Sequence, residues 1–275
     1  MKRIFIITAC ILLSVNFASA WGILGHTTVA KIAENNLTPK AKQELTRYFG
    51  QQSIVFYATY PDYYRSEWLY DFGFDPTGEI GKRVNVYPHT FEVDKNFKPF
   101  KGFNDNGRYV KNCVHFIKQF ADELHDRKCL SDSIVKWKVI MIVHLIGDMH
   151  CPEHIQYNPE DMSIGKYNVK FDNRKVKYHT LWDEEILTRR NPFGYSDTAL
   201  LLDTWNDEEI AETVKGDPYE WAEESARLSY PAHAYKMGAE LKRVKYLNEF
   251  TPLAEDQIRR AGYRLAALLN DIFGK

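Results

Sequence analysis

The chain has 275 residues, and its 36 Lys and Arg are set against 37 Asp and Glu, so a basic surface is excluded as the main draw for a polyanion. Any attraction for a phosphate ester must then be local. Four cysteines, of which Cys10 lies in the first twenty residues, leave Cys113, Cys129 and Cys151. That odd number rules out a disulfide-stapled scaffold and permits one bridge at most, with Cys113 and Cys129 as the candidate pair or else as buried thiols.

In chain order, Lys2 and Arg3 precede an apolar run from Ile4 to Leu13, and the stretch closes on Ala18-Ser19-Ala20. This reads as a signal peptide over residues 1–20, with cleavage before Trp21 and a secreted or periplasmic product. The run is too short for a membrane anchor, which needs ~20 apolar residues. Lipoprotein cleavage before Cys10 would leave almost no apolar segment ahead of the cut. Residues 21–275 carry no Pro/Gly/Ser linker, so one domain is expected.

A helix is expected near 25–37. Thr38-Pro39 then caps and starts another over Ala41–Phe49, stopped by Gly50. Residues 51–104 are rich in Tyr, Phe, Gly and Pro without clear periodicity, which implies long irregular connections. After a helix near 105–127, Asp132 or Ser133 caps a helix from Ile134 to about Asp148 whose apolar content on all sides marks a buried central element. Alternating Tyr167, Val169, Phe171 and Val176 suggest a hairpin around Asp172-Asn173. Helices follow near 179–190 and 217–243. Thr251-Pro252 opens the last one, with Ile258, Gly262, Leu265, Leu269 and Ile272 on one face. The fold class expected is all-α: a single-domain multi-helix bundle with long irregular loops and at most one short β-hairpin.

Within this frame, His144 and Asp148 stand four residues apart on the central helix, so both leave the same face. His150 and His154 follow around Pro152, and His179-Thr-Leu-Trp-Asp183 repeats the four-residue spacing. One such pair alone reads more simply as a solvated helix face. Two pairs, one in a very apolar helix, are harder to bury without a partner, and a metal ion would satisfy both. Imidazole and carboxylate are the ligand set of catalytic zinc, and without a C-x-x-C a structural zinc finger is excluded. Cleavage before Trp21 would add an α-amine, a main-chain carbonyl and, five residues on, the His26 imidazole.

The constellation resembles the trinuclear zinc nucleases of fungi, plants and some bacteria, the S-one/P-one type, whose sister group is zinc phospholipase C. The resemblance rests on Trp21 and His26, on Asp62 in Tyr60-Pro-Asp-Tyr-Tyr-Arg65, on His89 in Tyr-Pro-His, on the block from His144 to His154, and on His179 with Asp183. It implies three Zn2+ ions. One would be held by Asp62, His89, His144 and Asp148, a second by His154, His179 and Asp183, and a third by the Trp21 amine and carbonyl with His26 and a bridging Asp148. The resemblance further implies attack on phosphorus by metal-activated water, with Asp62 orienting the water and Arg65 stabilising charge on the phosphate. The expected substrate is single-stranded DNA or RNA, or 3′-nucleotides, with no membrane anchor and no obligate protein partner. His115, His125 and His233 have no assigned role, and His150 is a candidate to support the ligands.

Three positions depart from the pattern. Thr90 follows His89 where an aromatic is usual, Cys151 stands where glutamine is common, and Asp161–Asn168 replaces a glycine-rich stretch. Two alternatives stay open. A zinc phospholipase C is disfavoured by the short Trp21-to-His26 interval and by Asp183 in place of glutamate. The other is a zinc- or polyanion-binding protein without turnover.

Overall fold

The structure, a computed structural model, describes residues 21–65, 87–103, 107, 110, 112–157, 167–188, 193–235 and 237–275. The expected signal peptide, residues 66–86 of the irregular stretch, most of the region replacing the glycine-rich stretch, and scattered residues of the expected helices lie outside them.

Helix α1 (Ile23–Asn35) starts two residues after Trp21. Helix α2 (Pro39–Phe49) begins as the sequence dictates: the Thr38 hydroxyl accepts from the Ala41 amide, Pro39 occupies the first turn, and Gly50 ends it with φ at 61°. A 3-10 turn (Ile54–Tyr57) and the single turn α3 (Tyr60–Tyr63) lead towards β1 (Phe91–Glu92). Helix α4 (Cys113–His125) is capped by Asn112, later than the expected start at 105. The central helix α5 (Asp132–Met149) is capped by Ser131, whose hydroxyl accepts from Ile134 N, and not by Asp132 or Ser133. From Val139 to Met149 α5 is buried on every side, packed between α4, α1 and the C-terminal helix.

Beyond α5, β2 (Ile155–Gln156) pairs parallel with β1. The expected hairpin is present as β3 (Asn168–Phe171) and β4 (Arg174–Lys177). Its turn residues Asp172 and Asn173 both have positive φ, 45° and 66°, as a primed two-residue turn requires. The next helical segment changes pitch midway, from α6 (Tyr178–Thr180) through a π-helical turn (Leu181–Glu185) to α7 (Ile186–Thr188).

Two short helices, α8 (Tyr195–Leu202) and α9 (Asp207–Thr213), escape the sequence reading. The helix expected over 217–243 stops early. Helix α10 (Pro218–Ser229) gives way to a 3-10 turn (Tyr230–Ala234) at Pro231, which has no N–H to continue the ladder. Strand β5 (Glu240–Leu241) then adds to β3 in parallel.

The last helix, α11 (Arg243–Phe273), begins eight residues before Thr251 and runs through Pro252. Pro252 and Asn248, whose carbonyl loses its partner, are both exposed, so water can take over that bond. The expected face does pack inward: Ile258, Gly262, Leu265, Leu269 and Ile272 are buried. At Gly262 a Cβ would stand 2.5 Å from Ile32 Cγ2, which sets how closely α11 approaches α1. Among the described residues the cysteines form no bridge: Cys113 and Cys151 are buried thiols and Cys129 is exposed. No helix among the described residues is long and apolar enough to cross a membrane.

Candidate active site

At the C-terminal half of α5, two other pieces of chain, from α1 and α3, close on the helix. The four-residue spacing on that helix aims His144 and Asp148 the same way, and His144 Nε2 lies 3.2 Å from Asp148 Oδ2. From α1, His26 stacks on His144 with ring centroids 4.2 Å apart and planes 16° apart. Its Nε2 is 3.4 Å from Asp148 Oδ1. From α3, Asp62 brings Oδ1 to 3.6 Å from His144 Nε2 and Oδ2 to 4.0 Å from His26 Nε2.

The approach of α1 to α5 depends on Gly147. A Cβ there would sit 2.7 Å from His26 Nδ1, so only glycine leaves room for the imidazole. His144 is set from behind, because the Ala58 carbonyl, 2.9 Å from Nδ1, can only accept. Nδ1 therefore carries the proton and Nε2 presents its lone pair to the pocket.

The other half is built from the chain after α5 and from the π-helical turn. His154 lies against His179 with centroids 4.8 Å apart and against His89 at 5.2 Å. His179 Nε2 is 3.1 Å from Asp183 Oδ2, the spacing preserved although the helix has changed pitch between them. The charge of Arg65 is felt at His89, at Asp148 and at His179, which locates its guanidinium within range of both halves.

Electrostatics define what the pocket lacks. Burial holds His26, His89 and His179 down to about 4, and drives His154 well below the ordinary value for an imidazole. These rings are neutral at physiological pH. Burial pushes the Asp148 and Asp183 carboxyls well up, with neighbouring acids adding to the push.

Both ring nitrogens of His26 and of His154, both Asp148 oxygens and Asp183 Oδ1 are buried without a hydrogen bond. The short His26–Asp148 approach is thus neither an aligned hydrogen bond nor an ion pair, because the imidazole is uncharged. Each neutral ring offers one lone pair beside its N–H, and so many orphaned lone pairs on imidazoles and carboxylates around one space are costly. A divalent cation would accept them, and neutral imidazole with carboxylate is the donor set that suits one.

Among the described residues, two groups have the required closeness, with ligand atoms within 4.8 Å of one another: His26, His144 and Asp148, and Cys151, His154 and Asp183. Among the nine residues singled out as ligands from the sequence, every side chain except that of Trp21 lines this pocket. The Trp21 ring is buried instead against Trp182, centroids 6.3 Å apart. Its main-chain N–H donates to the Cys151 sulfur, as does that of Glu153.

His150 serves the scaffold: Nδ1 donates to the Ile146 carbonyl at 2.8 Å, and Nε2 accepts from Arg264 at 3.0 Å. His233 bonds the Pro152 carbonyl at 2.9 Å, His125 pairs with Asp271, and His115 is exposed. Sequence reasoning missed Cys151 and Gly147 as parts of the pocket. Their position inside the ligand block was the available signal.

Residues 21–274 match the family described as S1/P1 Nuclease. The chain belongs to that family. Similar proteins include Endonuclease 4 of Arabidopsis thaliana, 25% identical, with 98% of this chain and 94% of that protein covered. Nuclease S1 of Aspergillus oryzae is 24% identical with 98% of each chain covered. Nuclease P1 of Penicillium citrinum is 23% identical over 92% of this chain and 98% of its own length. S1/P1 nucleases are zinc enzymes in general, and this member has buried groups able to hold such ions. Kinship of this extent makes the chain a hydrolytic nuclease acting on nucleic acid.

Proposed function

We propose that this S1/P1 family member is an exported, zinc-dependent endonuclease of single-stranded DNA and RNA that also accepts 3′-nucleotides, matured by cleavage before Trp21. The observation that carries this reading is the set of orphaned, buried nitrogen and oxygen atoms on His26, Asp148, His154 and Asp183 around one pocket.

Asp62, His89, His144 and Asp148 would hold one ion, and His154, His179 and Asp183 a second. The third would sit with His26, Asp148 and the Trp21 amine and carbonyl. When bound, the ions supply Lewis acidity that draws a phosphate in and makes water acidic enough to attack phosphorus. Asp62, which faces His26 and His144 together, orients the attacking water and takes up its proton. Arg65 offers a planar fork of donors to the phosphate oxygens, where negative charge builds. His144 stays fixed because its Nδ1–H is committed to Ala58.

A nearly neutral chain with a cationic pocket attracts the phosphate rather than the duplex backbone as a whole. This favours flexible single strands, whose bases can stack on aromatic side chains regardless of sequence.

The test is elemental analysis of processed protein alongside hydrolysis of single-stranded DNA, RNA and phosphatidylcholine vesicles, with and without added zinc. Bound zinc with zinc-dependent release of nucleotides is expected. Cleavage of the lipid alone, or zinc binding without any hydrolysis, would overturn the reading.

A further inference from the structure

Cys151 occupies the turn between α5 and His154, fully buried, and the mechanism above gives it no task. Its Sγ nevertheless lies within 4.8 Å of the ligand atoms of His154 and Asp183. Both His154 ring nitrogens and Asp183 Oδ1 are themselves buried without a hydrogen bond. The sulfur therefore faces a set of donors that already lacks a counterpart. Among the described residues no disulfide partner is at hand, since Cys113 and Cys129 are also free.

We propose that Cys151 gives its sulfur to the ion held by His154, His179 and Asp183, as the fourth protein ligand of that site. The inference rests on the zinc reading above and deepens it. As the sulfur–metal bond forms, the thiol proton leaves to bulk water and the electron pair stays on sulfur. One thiolate and one carboxylate then neutralise a dication, the arrangement that costs least in a dry pocket.

Two imidazoles, one carboxylate and one thiolate make a closed shell, which marks a site that holds its ion rather than one that exchanges ligands during turnover. A soft sulfur donor also selects zinc over magnesium, calcium or manganese.

X-ray absorption at the zinc edge decides the matter on processed, zinc-loaded protein. A sulfur shell at about 2.3 Å is expected beside nitrogen and oxygen scatterers. The shell should vanish in Cys151→Gln and persist in the Cys113→Ser/Cys129→Ser double variant. In competition with a chelator, Cys151→Gln should lose one class of zinc with at least about a tenfold drop in affinity, since even outer-shell changes cost 10–100-fold.

Bound zinc seen with nitrogen and oxygen neighbours alone overturns the sulfur ligand and leaves the nuclease reading standing, as does a sulfur shell that disappears with Cys113 and Cys129. Failure to bind zinc at all overturns both. The wild-type spectrum, set beside that of the Cys113→Ser/Cys129→Ser double variant, settles the point even if Cys151→Gln does not fold.

Discussion

A methyl group at position 147 would meet His26 Nδ1 at 2.7 Å and Cε1 at 3.0 Å. Because His26 is also stacked on His144, its ring has no free direction in which to retreat. Gly147→Ala should therefore displace the imidazole by a fraction of an ångström to an ångström, a scale of error that costs about 10²-fold in rate. Steady-state kinetics with zinc analysis would show lower kcat and less bound metal, and unchanged values would refute the contact. Asp62→Asn keeps the volume and removes the charge and basicity. It should retain most zinc while kcat falls by about 10²-fold, the lower range for losing an acid–base group; a variant of undiminished rate would strip Asp62 of its role. At this scale the sequence was generous. The spacing of His144 with Asp148 and of His179 with Asp183 could be read directly, because a helix converts spacing into direction. The nearness of Cys151 to Asp183 could not, since it arises where two distant segments fold against each other.

Among the elements, the ends of helices were the readable part and their extents were not. Thr38-Pro39 and Gly50 bound α2 as expected, because a cap is a local contract between a side chain and an amide three residues on. Thr251-Pro252 carries the same signature and is no boundary at all. Burial of Tyr246, Leu247 and Phe250 extends α11 upstream of it, and tertiary packing outweighs a missing bond on the solvent side. The π-helical turn had no signal either, since it shifts the register without changing the residues. A clean test of local capping is Asp217, whose carboxylate accepts from the Tyr219 and Glu220 amides while Glu220 returns a bond to the Asp217 amide. Asp217→Ala should cost about 1 kcal/mol, seen as a fall in Tm of about 2–4 °C. Its kcat should hold, because α10 supplies none of the ligand side chains.

For the whole molecule, the pocket is a store of electrostatic stress that acid brings out. His26, His89, His179 and His233 sit at about 4 in the fold, and His150 and His154 are also lowered, all because burial disfavours the charged ring. In an unfolded chain each would titrate near 6.5. Between about 6.5 and about 4 the unfolded state thus binds more protons at these six rings, and stability falls as pH falls. Asp148 and Asp183, whose carboxyls are raised, oppose this with the reverse sign, but they are two groups against six. Chelator-treated protein should accordingly melt at progressively lower temperature from pH 6.5 to pH 4. A flat or rising Tm across that window would contradict the burial of these rings.

Trp21 is wholly enclosed, with its indole against Trp182 and its main-chain N–H on the Cys151 sulfur. Lys275, at the other end, stands in solvent. Anyone purifying this protein should therefore attach an affinity handle after Lys275. On the proposed cleavage before Trp21, a handle left ahead of that residue would keep its buried nitrogen as an amide, and the ion proposed to sit on the amine would lose a ligand.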